Sequence, residues 1–139
     1  MLLKAMESDE KRNNDLRVRN QLLAMDHWNL ANSRDWSRFE SLLAADMVYE
    51  APQTRERIIG SNGYRDFFST WPGSWKAIVQ KCLADDVSAV TLIEFQSDEP
   101  PMAGITFFEM QAGLITKVTD YWPSAYEPAP RASKHVLRY

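Results

Sequence analysis

The sequence predicts an α+β domain in which three N-terminal helices pack on one face of a curved, mostly antiparallel sheet, giving a cone. Three observations lead there. Apolar residues recur at helical spacing through the first half of the chain. From Trp75 onward the period changes to two. The separators between the later segments, such as Asp85-Asp86 and Gln111-Ala112-Gly113, are short enough to favour hairpins over crossovers.

Residues 1–14 run into the polar stretch Glu10-Lys11-Arg12-Asn13-Asn14 and read as a flexible lead-in. The first helix is expected over 15–32, where Leu16, Leu23, His27 and Leu30 share one stripe of a 3.6-residue period. Asn32-Ser33-Arg34-Asp35 breaks it, and Asp35 can cap a second helix that turns Trp36, Phe39, Leu42 and Leu43 inward. Asp46 to Ala51 reads as a short strand ended by Pro52. A third helix opens at Gly60-Ser61, carries Tyr64, Phe67, Phe68 and Trp71 at i, i+3, i+4 and i+7, and stops at Pro72-Gly73. Four strands follow: Trp75–Ala84, Val87–Gln96, Met102–Met110 and Leu114–Trp122. The domain thus spans 15–125, and residues 126–139, interrupted by Pro128 and Pro130, form a C-terminal tail.

The last strand carries the strongest chemical signal. Its alternation puts Val118, Asp120 and Trp122 on one face and Lys117, Thr119 and Tyr121 on the other. An acid between a branched apolar residue and an indole is not a solvent-face pattern. A carboxyl half removed from water binds its proton more tightly unless a partner compensates, which makes Asp120 a candidate proton carrier in an apolar cavity.

Bulk properties narrow the function classes. The chain has 139 residues, 45% of them apolar, with five tryptophans, enough for one substantial core. Sixteen Lys and Arg against 19 Asp and Glu leave a net charge of −3 with no basic patch, so no nucleic-acid partner is expected. The single Cys82 excludes an internal disulfide and fits a reducing compartment. His27 and His135 are the only histidines, and nothing has metal-ligand spacing, so neither a metal nor an organic cofactor is expected. No apolar run approaches the ~20 residues that cross a bilayer. Charges follow directly on the opening Met1–Met6, unlike a secretory signal, so the expected location is the cytoplasm with no membrane partner.

The order of elements, together with Asn32-Ser33-Arg34-Asp35-Trp36, the run Leu43 to Pro52, Gly60-Ser61-Asn62-Gly63-Tyr64 and the strand Gly113 to Trp122, resembles the nuclear transport factor 2-like superfamily. Within it the chain is most similar to the SnoaL-like polyketide cyclase group, a relative of ketosteroid isomerases, scytalone dehydratases and limonene epoxide hydrolases. The resemblance implies a cone with a hollow mouth and cofactor-independent acid/base chemistry. It also exposes a departure. Ketosteroid isomerases use an Asp base beside an oxyanion hole of Tyr and protonated Asp. The resemblance puts Glu50-Ala51-Pro52 at the base, Thr106 at the oxyanion Asp and His27 at the Tyr, so that machinery is not reproduced here. SnoaL-like cyclases are similar in placing an acid/base Asp in the last strand.

The expected site therefore has Asp120 as acid/base and His27, on the apolar stripe of the first helix, as its proton partner. Tyr49 and Thr106 have the strand parity to orient a ligand, and Phe67, Phe68, Phe108, Val118 and Trp122 would be wall. Trp71-Pro72-Gly73-Ser74-Trp75 sets two large rings where a cover over the mouth is expected. The expected ligand is a small, mostly apolar molecule, polycyclic or carbonyl-bearing, undergoing cyclisation, isomerisation, dehydration or hydrolysis. The alternative is a non-catalytic ligand-binding or protein-interaction subunit with the same fold. Apolar positions on the sheet's outer face lead us to expect a homodimer through that face, as in many superfamily members.

Overall fold

The computed structural model describes residues 2–139. Helix α1 (Leu2–Ser33) leads into α2 (Trp36–Ser41), strands β1 (Leu43–Ala51) and β2 (Glu56–Ile59), and helix α3 (Ser61–Ser69). Strands β3 (Lys76–Ala84), β4 (Ser88–Gln96), β5 (Met102–Gln111) and β6 (Leu114–Tyr121) complete the chain's regular structure. Helices followed by a mixed, curved and unclosed six-stranded sheet make this an α+β fold.

The strand order is β2-β1-β6-β5-β4-β3. The run β3 to β6 is the antiparallel meander that the short turns dictate. Two features lie outside the sequence reading. β2 folds back on β1 with Tyr49 opposite Ile58, and β1 joins β6 in parallel, with Tyr49 opposite Val118. That parallel contact brings together residues about 70 apart in the chain, across α3 and four intervening strands.

Helix α1 is longer than its buried stripe. Residues 2–14, expected as a flexible lead-in, are helical and almost wholly exposed. The segment contains Leu, Lys, Ala, Met, Glu and Arg and neither Gly nor Pro, so a helix anchored further along propagates through it at little cost per residue. The buried face is Asn20, Ala24, His27, Trp28 and Ala31, with Leu23 and Leu30 as partly buried flanks. The alanines let α1 lie close on β3 and β4, while α3 covers β1.

The stop at Ser33 has a stated geometry. Arg34 sits at φ 60°, its amide donates to the Ala31 carbonyl at 3.1 Å, and the Asp35 amide donates to the Leu30 carbonyl at 3.1 Å. These two bonds close the helix end in a Schellman arrangement. Asp35 then caps α2 by accepting from the Arg38 amide at 3.2 Å. The tail from Pro123 to Tyr139 has no helix or strand and is largely exposed.

Candidate functional site

The alternation of β6 delivers Asp120 to the covered face of the sheet, where it is 2% exposed. Its register partner across the antiparallel β5 ladder is Thr106. Thr106 donates its hydroxyl to Asp120 Oδ1 at 2.6 Å. On the other flank, the parallel pairing with β1 brings up Tyr49, which donates to Asp120 Oδ2 at 3.0 Å. Each carboxyl oxygen is thus held by one hydroxyl, which fixes the plane of the group.

Burial pushes the Asp120 carboxyl up to about 6, and the bonds from Thr106 and Tyr49 pull the other way. Those hydroxyls therefore restrain the rise. Tyr49 is itself driven above the ordinary phenol range by burial and by the adjacent Asp120 charge, so it stays a proton donor at physiological pH.

His27 takes a different partner from the one expected. Its Nε2 shares a 2.7 Å hydrogen bond with the Tyr64 hydroxyl, and Asp120 is not bonded to it. The Asp120–His27 dyad is thus corrected to two separate pairs, Asp120 with Tyr49 and Thr106, and His27 with Tyr64. The reason is depth. His27 is fully buried among Trp28, Phe39, Phe68 and Phe108, with ring centroids 4.5 to 5.7 Å away. Burial lowers its pKa to about 3, so it is a neutral imidazole, and its Nδ1 has no hydrogen-bond partner among the described residues.

A cavity of about 120 Å³ opens beside Asp120. Trp122, Phe67 and Phe68, expected as wall, line it. Trp71 and Trp75, from the loop expected to cover the mouth, line it too. Phe95 and Met102 complete the wall and escaped the sequence reading, because they are apolar strand residues like many others. His27, Tyr49, Thr106, Phe108 and Val118 are buried but do not line the cavity. Tyr49 and Thr106 reach it only through the carboxyl they hold.

Trp122 is placed with unusual care. A Cβ on Gly104 would stand 2.8 Å from the Trp122 ring and 3.0 Å from Ile93, so only glycine lets the indole lie on β5. The Gln53 side chain, just beyond β1, bonds both the amide and the carbonyl of Trp122. Among the described residues no group of three or more His, Cys, Asp or Glu is positioned to hold a metal, and no helix is long and apolar enough to cross a membrane.

Comparison with known proteins places this geometry among relatives. The profile of the SnoaL-like domain matches residues 24–118. A crystal structure from Kribbella flavida DSM 17836, provisionally named a ketosteroid isomerase, is 38% identical, covers 88% of this chain and 91% of its own, and superposes with a TM-score of 0.82. Two more distant structures share the fold. One is an epoxide hydrolase from M. tuberculosis, described as LEH-like, at 18% identity and TM-score 0.66, covering 77% of this chain and 84% of its own. The other, from Shewanella putrefaciens CN-32, is provisionally named a SnoaL-like polyketide cyclase, at 11% identity and TM-score 0.64, covering 74% and 88%. Among curated proteins, none matches the chain.

The buried carboxyl has a consequence for stability. Its folded pKa of about 6 lies above the 3.8 of an unperturbed Asp. The folded state therefore holds the proton more tightly, and ionising it costs stability as pH rises between those values. Asp120→Asn should be the more stable protein at pH 7.5, by up to about 3 kcal/mol, with the gap closing toward pH 4. Denaturant unfolding at both pH values measures it; equal stability at pH 7.5 would contradict the burial argument.

Proposed function

The chain belongs to the SnoaL-like domain family, and from that premise we propose that it is a cofactor-independent acid/base enzyme acting on a small, mostly apolar molecule. The family includes isomerases, cyclases and hydrolases of this kind. The observation that carries the proposal is a single buried carboxyl, Asp120, facing an aromatic cavity while Tyr49 and Thr106 grip both its oxygens.

Such a group is suited to move one proton. With a pKa of about 6, Asp120 is mostly ionised at neutral pH and serves as the base. It takes a proton from the ligand, the two hydroxyls hold the carboxyl in place, and the neutral acid then returns the proton to another ligand atom. The apolar wall favours the neutral acid during the interval and keeps bulk water from intercepting the proton. The relative from Kribbella flavida supports isomerisation as one such reaction. The isomerase base expected at the end of β1 is replaced here by Ala51, so in this chain Asp120 carries the transfer. A cavity of about 120 Å³ suits a single ring rather than a polycyclic skeleton.

One observation favours a second reading, a non-catalytic binding subunit. Among the described residues Asp120 is the only charged side chain on the cavity wall, with no second acid or cation in the lining to stabilise a developing charge. The same experiment separates the two. On single-ring enolisable ketones, β-hydroxy ketones and epoxides, Asp120→Asn should lower kcat by ~10²–10⁴-fold, with kcat/KM for the wild type rising through a midpoint near pH 6. Tyr49→Phe should lower kcat less and move that midpoint upward. Full turnover by Asp120→Asn would overturn Asp120 as the base, and a wild type that turns over none of the three classes would overturn the enzyme reading in favour of the binding subunit.

The assembly follows from the sheet's outer face. Leu92, Ile105 and Tyr121 lie side by side across β4, β5 and β6, beside Val90 and Phe107. Phe107 is 48% exposed, an aromatic ring in the middle of a sheet with water on one side. A second copy covering this patch would remove it from solvent, and we propose a homodimer through it. Light scattering should give twice the chain mass, and Phe107→Glu should give the monomer; a wild-type monomer at high micromolar concentration contradicts this. The proposed place of action is the cytoplasm.

A further inference from the structure

The wall of the cavity has an order that a merely greasy pocket does not need. Phe67 meets Trp71 at 5.3 Å between ring centroids, Trp71 meets Phe95 at 6.3 Å, and Phe95 meets Trp75 at 5.5 Å. Trp75 meets Phe68 at 5.8 Å, and Phe68 returns to Phe67 at 5.4 Å. Five aromatic rings therefore close a circuit, and a sixth, Trp122, packs on Phe95 at 5.6 Å. All six line the cavity with Asp120.

An aromatic enclosure and a carboxylate have one recognition chemistry in common. Ring faces are the negative ends of their quadrupoles and attract a cation, most strongly when it has left water. The carboxylate attracts the same charge. None of the residues lining the cavity is cationic. Arg34 lies over the Trp75 ring at 3.9 Å and is not part of the lining; its guanidinium also bonds the Trp75 carbonyl. Asp120 therefore lacks a counter-ion among the described side chains, its neighbours being two neutral hydroxyls and a neutral core imidazole further in. A carboxylate accepts at about four lone-pair positions, and Tyr49 and Thr106 occupy two of them. The remainder are free to accept from a ligand N–H.

We propose that the ligand of this cavity is a small organic ammonium, a protonated amine on a single hydrocarbon ring, held by the Asp120 carboxylate and the surrounding aromatic rings. This goes beyond the reading given above, which concerns turnover of neutral molecules, and rests on it only in taking the cavity as a ligand site. The volume sets the size. An apolar cavity of about 150 Å³ accommodates the six carbons of benzene, so about 120 Å³ holds about five non-hydrogen atoms, and the far edge of a six-membered ring stands in the open mouth. The ammonium N–H donates to a free Asp120 lone pair, supplying the counter-ion that the fold omits. The hydrocarbon ring lies against Phe67, Phe95 and Trp122. Trp71, which is 43% exposed, stands at the mouth where a ligand enters.

The test compares cyclohexylammonium with cyclohexanol, a neutral molecule of the same size that also donates a hydrogen bond. Calorimetric titration of the whole protein at pH 7.5 should show the ammonium binding at least about tenfold more tightly. Asp120→Asn should abolish that preference. Trp71→Leu, a change at the partly exposed mouth that leaves Asp120 and its two hydroxyl donors in place, should reduce the preference several-fold. Equal or tighter binding of cyclohexanol overturns the cation assignment but leaves the acid/base reading standing, since that reading is judged on turnover of neutral substrates. A preference for the ammonium that survives in Asp120→Asn, or binding of neither probe, also overturns it.

Discussion

The arrangement depends on one constraint: a carboxyl group kept out of water on the covered face of a β-sheet, with no cation paired to it among the described residues. Ionising such a group is costly, and the protein offsets only part of the cost with two hydroxyl donors. Both come from the neighbouring strands. Thr106 stands directly across the β5–β6 ladder, and Tyr49 reaches in from β1 on the opposite side. The topology is therefore part of the site. Without the parallel β1–β6 contact Tyr49 would have no route to Asp120, and the acid would keep a single restraining bond.

The aromatic wall follows from the same constraint. Helix α3 and the loop after it contribute four rings, and β4 and the end of β6 contribute the others. Their effect is twofold. They remove water from one side of Asp120, which raises its proton affinity, and they leave a space whose polar contacts are all at one end. Glycine at position 104 is what allows Trp122 to close that wall against β5. His27 and Tyr64 lie deeper and form a self-contained pair. Their charge states are suppressed by burial, so they support the floor of the site as packing and as a fixed polar contact.

Much of this was legible from residue order alone, and the parts that were not share a physical cause. The period-two segments gave the meander, and parity alone put Asp120, Thr106, Phe108 and Tyr49 on the covered face where the structure has them. The helix break at Asn32 to Asp35 is local chemistry and was readable as such. The four-residue β2 has almost no alternation, and the parallel β1–β6 pairing is a contact between distant segments with no local signature. The His27 partner was missed for a related reason. A helical stripe shows which residues point inward but not which of several buried polar groups, Asp120 or Tyr64, lies within reach. Phe95 and Met102 joined the cavity wall through tertiary placement that their own strands do not encode. The helical lead-in shows the reverse case, where exposed residues of good helix propensity continued a helix whose anchoring lay elsewhere.

The most direct measurement is the ionisation of Asp120 itself, followed through the carbon-13 shift of its carboxyl by NMR over pH 3 to 9. A midpoint near 6, moving further up in Tyr49→Phe, is the predicted result. A midpoint near 3.8, the value of a carboxyl in water, would show an exposed or fully compensated group and would contradict the account at its base.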